Sequence, residues 1–436
     1  MKTKITLVLF ILFGIIMDIS AQKNSVKPFP MEKSPWPEIR KERIEKLLPL
    51  AMKNAGVDCW LLICRENSND PLALHVGGEN AGGAAAFFFF LNGDKVKSVA
   101  ISPEGEATAL KDVKLHDEVI VIERGSNLWE SAASLIKKEN PSKVAINSGG
   151  GPITDGLSHT QYVQLEKALG PDYTSRLTSS AELVNEWLSV KLPEEIKLMS
   201  EAAEITDKME REAFKIVVPG KTKDSDVALF LKKKMEEMGV TDAWAPDQNP
   251  NVNSGPDRGH SNATDKVIMP GDVIQLDFGI KFYGVWCTDI QRFAYVLKPG
   301  EKDAPESIKN YFEYAKEGHK RVLAAIKPGA FGYDADKAQR EWMKEKGSLP
   351  VIWGTGHPVG YWAHDSGPSI SGGTRPERPA GAKPFKTGQT FAYDGFYSWK
   401  LDDKNTKTIS VEEMVCVTET GAKYMNKTQD ELILIK

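Results

Sequence analysis

The chain has 436 residues, 41% hydrophobic and 27% charged, with 36 glycines and 25 prolines. This composition excludes a disordered, collagen-like or coiled-coil protein, and the length predicts two domains. A formal charge of −4 gives no electrostatic footprint for nucleic acid, and four cysteines are too few for a disulfide scaffold, so the fold must rest mainly on its core.

Two lysines precede an apolar run from Ile5 to Met17, and Ile19-Ser20-Ala21 follows before Gln22. Residues 1–21 read as a secretory signal peptide, because the run is short for a bilayer span and no cysteine after Ala21 could take a lipid. An uncleaved anchor is the alternative, since Ile19 is large for its position. No later segment is apolar enough to cross a membrane. Cleavage therefore predicts a periplasmic or secreted protein without membrane attachment.

From Pro37 to about Thr178, helical and strand patterns alternate: a helix at Glu38–Ala55, strands at Val57–Cys64, Ala85–Leu91, Glu118–Glu123 and Lys143–Asn147, and helices at Asn127–Lys138 and Ser158–Leu169. The pattern predicts an α/β domain over residues 22–180. Cys59 and Cys64 are an odd number of residues apart on one strand, so they face opposite ways and stay unpaired. The glycine-rich stretches Gly77–Gly83 and Gly149–Gly151 lack phosphate-binding signatures and read as loops.

A helix over Ser180–Leu192 and a longer one opening at Pro193-Glu194-Glu195 and running to about Lys215 place the boundary near Ser180, leaving residues 181–436 as the second domain. There the chain repeats itself. Val217–Gly239 matches Ile326–Gly347, each with a Pro-Gly, an amphipathic helix and a closing glycine. Asp277 follows Gly271 as Asp394 follows Gly388. A duplicated unit places the two aspartates at pseudo-symmetric positions of one sheet, with a site between the halves.

The strand at 271–280 alternates, with Val273, Gln275 and Asp277 on one face and Ile274, Leu276 and Phe278 on the other, which belongs under helices. Lys281–Val285 fits a three-residue hairpin loop with Gly284 in the left-handed position. If Lys281 pairs with Val285, Asp277 lies directly opposite Asp289. Opposed carboxylates repel, and a divalent cation between them removes the penalty; two solvated acids at a sheet edge are the alternative. His357 and His364 lie seven apart in a glycine-rich segment, Glu412 lies on the closing strand, and His260 sits in a polar loop before Gly271. His75, His116, His159 and His319 read as structural.

These residues carry a resemblance. From about Pro37 onward the chain resembles the pita bread metallopeptidase superfamily, which includes aminopeptidase P, prolidase, methionine aminopeptidase and the metal-free creatinase. The resemblance implies a creatinase-type α/β amino-terminal domain and an α+β pita bread catalytic domain with a pseudo-twofold repeat. It implies five metal ligands: Asp277 in DFG, Asp289 in DIQR, His357 in GHPVG, Asp394 in YDG and Glu412 in VEEMVCVTETG. Asp289 and Glu412 would bridge two ions, Asp277 would complete one, and His357 with Asp394 the other. His260 and His364 match the substrate-side histidines that orient the scissile carbonyl and stabilise its tetrahedral intermediate.

Three positions depart from that pattern. Asp394-Gly395 stands where the family has Glu followed by Pro-Gly, Ser410 replaces an Arg found in proline-specific members, and Trp353 replaces a His four residues before the ligand His. The resemblance thus implies a peptidase with relaxed proline preference.

Four carboxylates and one imidazole form a hard, oxygen-rich set that suits Mn²⁺, with Co²⁺ or Zn²⁺ as alternatives. The implied reaction is metal-dependent hydrolysis of the N-terminal peptide bond of short peptides, of Xaa-Pro aminopeptidase or dipeptidase type. Glu412 or a neighbouring acid would carry a proton to the leaving nitrogen, and His364 would donate to the oxyanion. A creatinase-like, metal-free C–N hydrolase and a non-catalytic binding module on the same fold are the other readings. The resemblance also suggests a homodimer or larger.

Overall fold

The structure, a computed structural model, describes residues 34–372 and 379–436. Residues 1–21, read above as a signal peptide, lie outside them. Among the described residues no helix is long and apolar enough to cross a membrane.

The chain opens with α1 (Trp36–Lys46) and α2 (Leu48–Ala55). The single helix expected there is interrupted at Leu47, and Pro49 lies in the first turn of α2, where the proline's missing N–H is tolerated. Next come β1 (Cys59–Cys64), α3 (Ala73–Val76), β2 (Ala85–Asn92), β3 (Lys95–Pro103), α4 (Glu104–Val113), β4 (Glu118–Ile122) and α5 (Leu128–Glu139). This part ends with β5 (Val144–Ile146), α6 (His159–Leu169), α7 (Pro171–Thr174) and β6 (Leu177–Ser179). The strands form one sheet in the order β4-β3-β2-β1-β5-β6.

Both faces of its centre are covered. Trp60, Leu62, Cys64, Phe87 and Phe89 pack into one core, and Cys59, Leu61, Ile63, Phe88 and Phe90 into another. Strict alternation thus puts Cys59 and Cys64 on opposite faces, both as free thiols. The unanticipated β3 begins at exposed Lys95 and becomes fully buried only from Ser98, so its first half carries little apolar signal.

Two helices, α8 (Ala181–Ser189) and α9 (Pro193–Phe214), lead into the second sheet system. Pro193 stands at the first turn of α9, and Glu195 accepts the Leu192 N–H at 2.9 Å. The chain continues through α10 (Asp224–Met238), β7 (Thr241–Asp242), β8 (Asn251–Ser254), β9 (Val273–Phe278), β10 (Ile280–Phe282), β11 (Trp286–Cys287) and β12 (Ile290–Val296). Then follow α11 (Glu306–Ala325), α12 (Gly332–Glu345), β13 (Gly356–Pro358), β14 (Thr390–Lys400), β15 (Thr406–Val417), β16 (Ala422–Tyr424) and β17 (Ile433–Ile435). The main sheet runs β13-β14-β15-β12-β9-β8, with β16 on β15 and β17 on β12; β11, β10 and β7 form a small sheet.

Helices cover one face of the main sheet. Ile274, Leu276 and Phe278 pack with Val227 and Leu231 of α10 and Met209 and Ala213 of α9. Across the sheet, Phe391, Tyr393 and Val415 pack with Val322 of α11 and Ala335 of α12. Gly395 marks a close approach, since a Cβ there would lie 2.1 Å from the Ala315 carbonyl of α11. The opposite face of β9, carrying Gln275 and Asp277, is left for polar groups.

Candidate metal centre

The expected hairpin register is corrected by two residues. Lys281 pairs with Cys287 and Phe282 with Trp286, so Asp277 lies opposite Gln291, not Asp289. Both Tyr283 and Gly284 adopt positive φ, 53° and 69°, and Val285 N–H donates to the Phe282 carbonyl at 3.0 Å. The turn therefore starts one residue later than expected. A two-residue slip preserves face, so Asp289 stays on the side of Asp277 and lies diagonal to it.

Asp289 occupies a break between β11 and β12. Opposite it, Gly279 lies so close to the Thr288 carbonyl that a Cβ would sit 2.1 Å away. The Asn249 amide fills the interrupted ladder, donating to the Gly279 carbonyl at 2.7 Å and accepting its N–H at 3.2 Å.

Five strands contribute to one transverse row. Asn251 pairs with Asp277, Asp277 with Gln291, Gln291 with Glu412, and Glu412 with Asp394. On the helix side, Arg292 fastens the middle of this row, donating to Glu413 at 2.9 Å and to the Glu412 carbonyl at 3.3 Å and pairing with Asp207 of α9. The sheet thus brings Asp277, Glu412 and Asp394 together by register, with Asp289 diagonal to them.

His357 enters from β13, whose pairing with β14 sets His357 beside Ala392. Its Nε2 lies 3.7 Å from Asp289 Oδ2 and 3.8 Å from Glu412 Oε1. Ligand atoms of Asp289, His357 and Glu412 all lie within 4.8 Å of one another. The Nδ1 of His357 is 3.2 Å from the Pro358 carbonyl, an arrangement that leaves Nε2 free to face the acids. Burial, with His364 nearby, pushes the His357 pKa down to about 3, so the ring is neutral.

The electrostatics match a cation site. Burial and the neighbouring carboxylates push Asp289 and Asp394 far above the usual range, and burial with Asp277 pushes Glu412 up to about 8. Asp394 Oδ1 is buried without a hydrogen-bond partner. Clustered oxygens that repel one another, one of them unsatisfied, with a neutral imidazole beside them, fit divalent ions.

The two other histidines lie at the open side and are exposed. His260 Nδ1 is 3.3 Å from Asp277 Oδ2, and that contact raises its pKa. His364 stacks obliquely on His357, ring centroids 4.2 Å apart. Sequence reasoning had placed Gln275 on this face but had given no role to Gln291, whose Oε1 accepts from Gln275 Nε2 and Ser410 Oγ, both at 2.6 Å. Gln291 in turn hydrogen-bonds Glu412. Its position two residues after Asp289 was the available signal.

Residues 197–419 match the model of metallopeptidase family M24. The chain belongs to that family. It is 30% identical over 256 residues to an Xaa-Pro dipeptidase of Pyrococcus furiosus, spanning 58% of this chain and 67% of the relative. Among solved structures it resembles an Xaa-Pro dipeptidase from Bacillus anthracis, with TM-score 0.69, 21% identity, and coverage of 92% of this chain and 100% of the other. An X-Pro aminopeptidase from Thermotoga maritima gives TM-score 0.68 at 21% identity, covering 88% and 100%. The M24 chain thus has the fold of the pita bread enzymes and is a metal-dependent peptidase.

Proposed function

We propose that this M24 enzyme releases the N-terminal residue of short peptides, including Xaa-Pro peptides, in the manner of an aminopeptidase or dipeptidase. The observation that carries the reading is the convergence of Asp289 and His357 on Glu412 of the acidic row. Asp289 and Glu412 would be shared by two divalent ions, with Asp277 serving one and His357 with Asp394 the other. Mn²⁺ suits the four carboxylates best, ahead of Co²⁺ or Zn²⁺.

Divalent ions held there would supply Lewis acidity toward the scissile carbonyl and the attacking water. Glu412 or a neighbouring acid would pass a proton to the leaving nitrogen. His260 orients the carbonyl, and His364 donates to its developing oxyanion. Gln291, held by Gln275 and Ser410, fixes the Glu412 carboxylate.

Relaxed choice beyond the cleaved bond is supported by the wall next to Asp394. Phe396, two residues on, pairs with Ser410 and meets half-exposed Trp353 edge-on at 5.6 Å. An apolar wall beside a small hydroxyl accepts many side chains. The pseudo-twofold repeat is supported by the strand order, which puts β9 and β14 at equivalent distances from the central β12–β15 pair. Residues 1–21 act as a signal peptide of a secreted or periplasmic bacterial enzyme, residues 22–180 and 181–436 are its domains, and it works as a homodimer or larger.

The test is purified protein with Mn²⁺ against matched Xaa-Pro and Xaa-Ala peptides. Release from both, within about tenfold of each other, is expected, a gap of about 1.4 kcal/mol. No release from any peptide at full metal loading would replace this reading with a binding module.

A further inference from the structure

A buried ionic network connects α1 of the first domain with the loop that carries His364. Arg43 and Glu195 have no side-chain exposure and meet at 2.7 Å. Arg43 also donates to the Val190 carbonyl at 2.9 Å and the Trp187 carbonyl at 2.5 Å. Glu195 Oε1 accepts the Tyr361 hydroxyl at 2.5 Å and Trp286 Nε1 at 3.1 Å. A second buried pair, Lys191 with Asp365, meets at 3.2 Å, and Lys191 also donates to the Leu188 carbonyl at 2.5 Å. Asp365 then holds its own loop, accepting from Tyr361 N–H at 2.9 Å and Ser366 N–H at 2.7 Å, while its N–H donates to the Pro358 carbonyl at 2.9 Å.

Four buried charges are a poor way to gain stability, because desolvation offsets most of the attraction and apolar replacements often do as well. What the network does fix is geometry. It grips the loop at Tyr361 and at Asp365, on both sides of His364. The backbone of His357 is set separately, by β13–β14 pairing. His364 lies outside any strand and is exposed, and its ring nevertheless sits 4.2 Å from that of His357.

We propose that Asp365 and Lys191 are positioning residues for His364, and that Arg43, through Glu195 and Tyr361, makes the first domain part of the same clamp. The proposal rests on the reading of His364 as oxyanion donor. Loosening the clamp should therefore cost turnover without costing metal.

A double-mutant cycle on the Mn²⁺-loaded full chain tests this, with kcat, KM, bound metal and melting temperature measured for each variant. His364→Ala should lower kcat about 100-fold, the scale of a lost oxyanion donor. Asp365→Asn should lower kcat at least tenfold with metal content unchanged and KM within about threefold, and the double variant should be no slower than His364→Ala alone. Losses that multiply would overturn the positioning role while leaving the donor reading intact. An unaffected His364→Ala enzyme would end both. If Asp365→Asn does not fold, Tyr361→Phe enters the same cycle: it keeps all four charges, and a loss of turnover absent from the His364→Ala background is the supporting result.

Discussion

The acidic row should act against the fold whenever the ions are absent, and pH should reveal it. Burial and Asp277 push Glu412 from 4.5 to about 8. Between those limits the unfolded chain has released a proton that the folded chain keeps, so this group's contribution falls as pH rises through the window. At pH 7 about 2.5 units of the window have been crossed, which at about 1.36 kcal/mol per unit is a loss of about 3 kcal/mol. Spread over about 400 residues at about 2.1 cal/mol/K each, it lowers the melting temperature by about 4 °C. Melting curves in chelator from pH 4.5 to 8 should show this decline, and Glu412→Gln should show a shallower one, since Asp289 and Asp394 keep theirs, and melt higher than wild type at pH 7. Saturating Mn²⁺ should reverse the order, because only the wild type keeps the full ligand set and gains by mass action. A chelated Glu412→Gln protein that melts below chelated wild type at pH 7 would refute the argument, since the carboxylate would then be stabilised where it stands.

Three further outcomes follow from the same geometry. Calorimetric titration should load two ions in separate steps, the weaker at Asp394, and Asp394→Glu should tighten that step; equal affinities in the wild type would show that the shorter side chain costs nothing. Trp353→His combined with Ser410→Arg should raise the preference for Xaa-Pro over Xaa-Ala at least fivefold, and an unchanged ratio in kcat/KM would remove the apolar wall from the account. Lys407 is fully buried and pushed down to about 8, mainly by burial, so stability should rise as pH climbs from about 8 to 10.5. Lys407→Met should flatten that rise in the melting temperature and stabilise the protein at pH 7, and a slope equal to wild type would place the amine in water.

The candidate ligands were more legible in the sequence than the arrangement that holds them, and the hairpin explains why. Alternation along β9 put Gln275 and Asp277 on one face and an apolar row on the other, and this parity survives a two-residue slip. The exact pairing does not survive, because it depends on Tyr283 taking positive φ, a conformation an aromatic residue rarely adopts. Gln291 was missed for a related reason: its partners Glu412 and Ser410 are more than a hundred residues away, and no local period reports a cross-sheet register. The clamp lies furthest from view. In a sequence, Arg43, Lys191, Glu195 and Asp365 look like ordinary surface charges, and two of them stand at helix positions where charges are expected in any case. They leave water only where α1, the α8–α9 junction and the loop around Asp365 meet, and once they are dry each must find a partner or lose its charge. The candidate metal ligands are legible through the motifs that carry the family resemblance, whereas a buried ion network is defined by which distant segments meet.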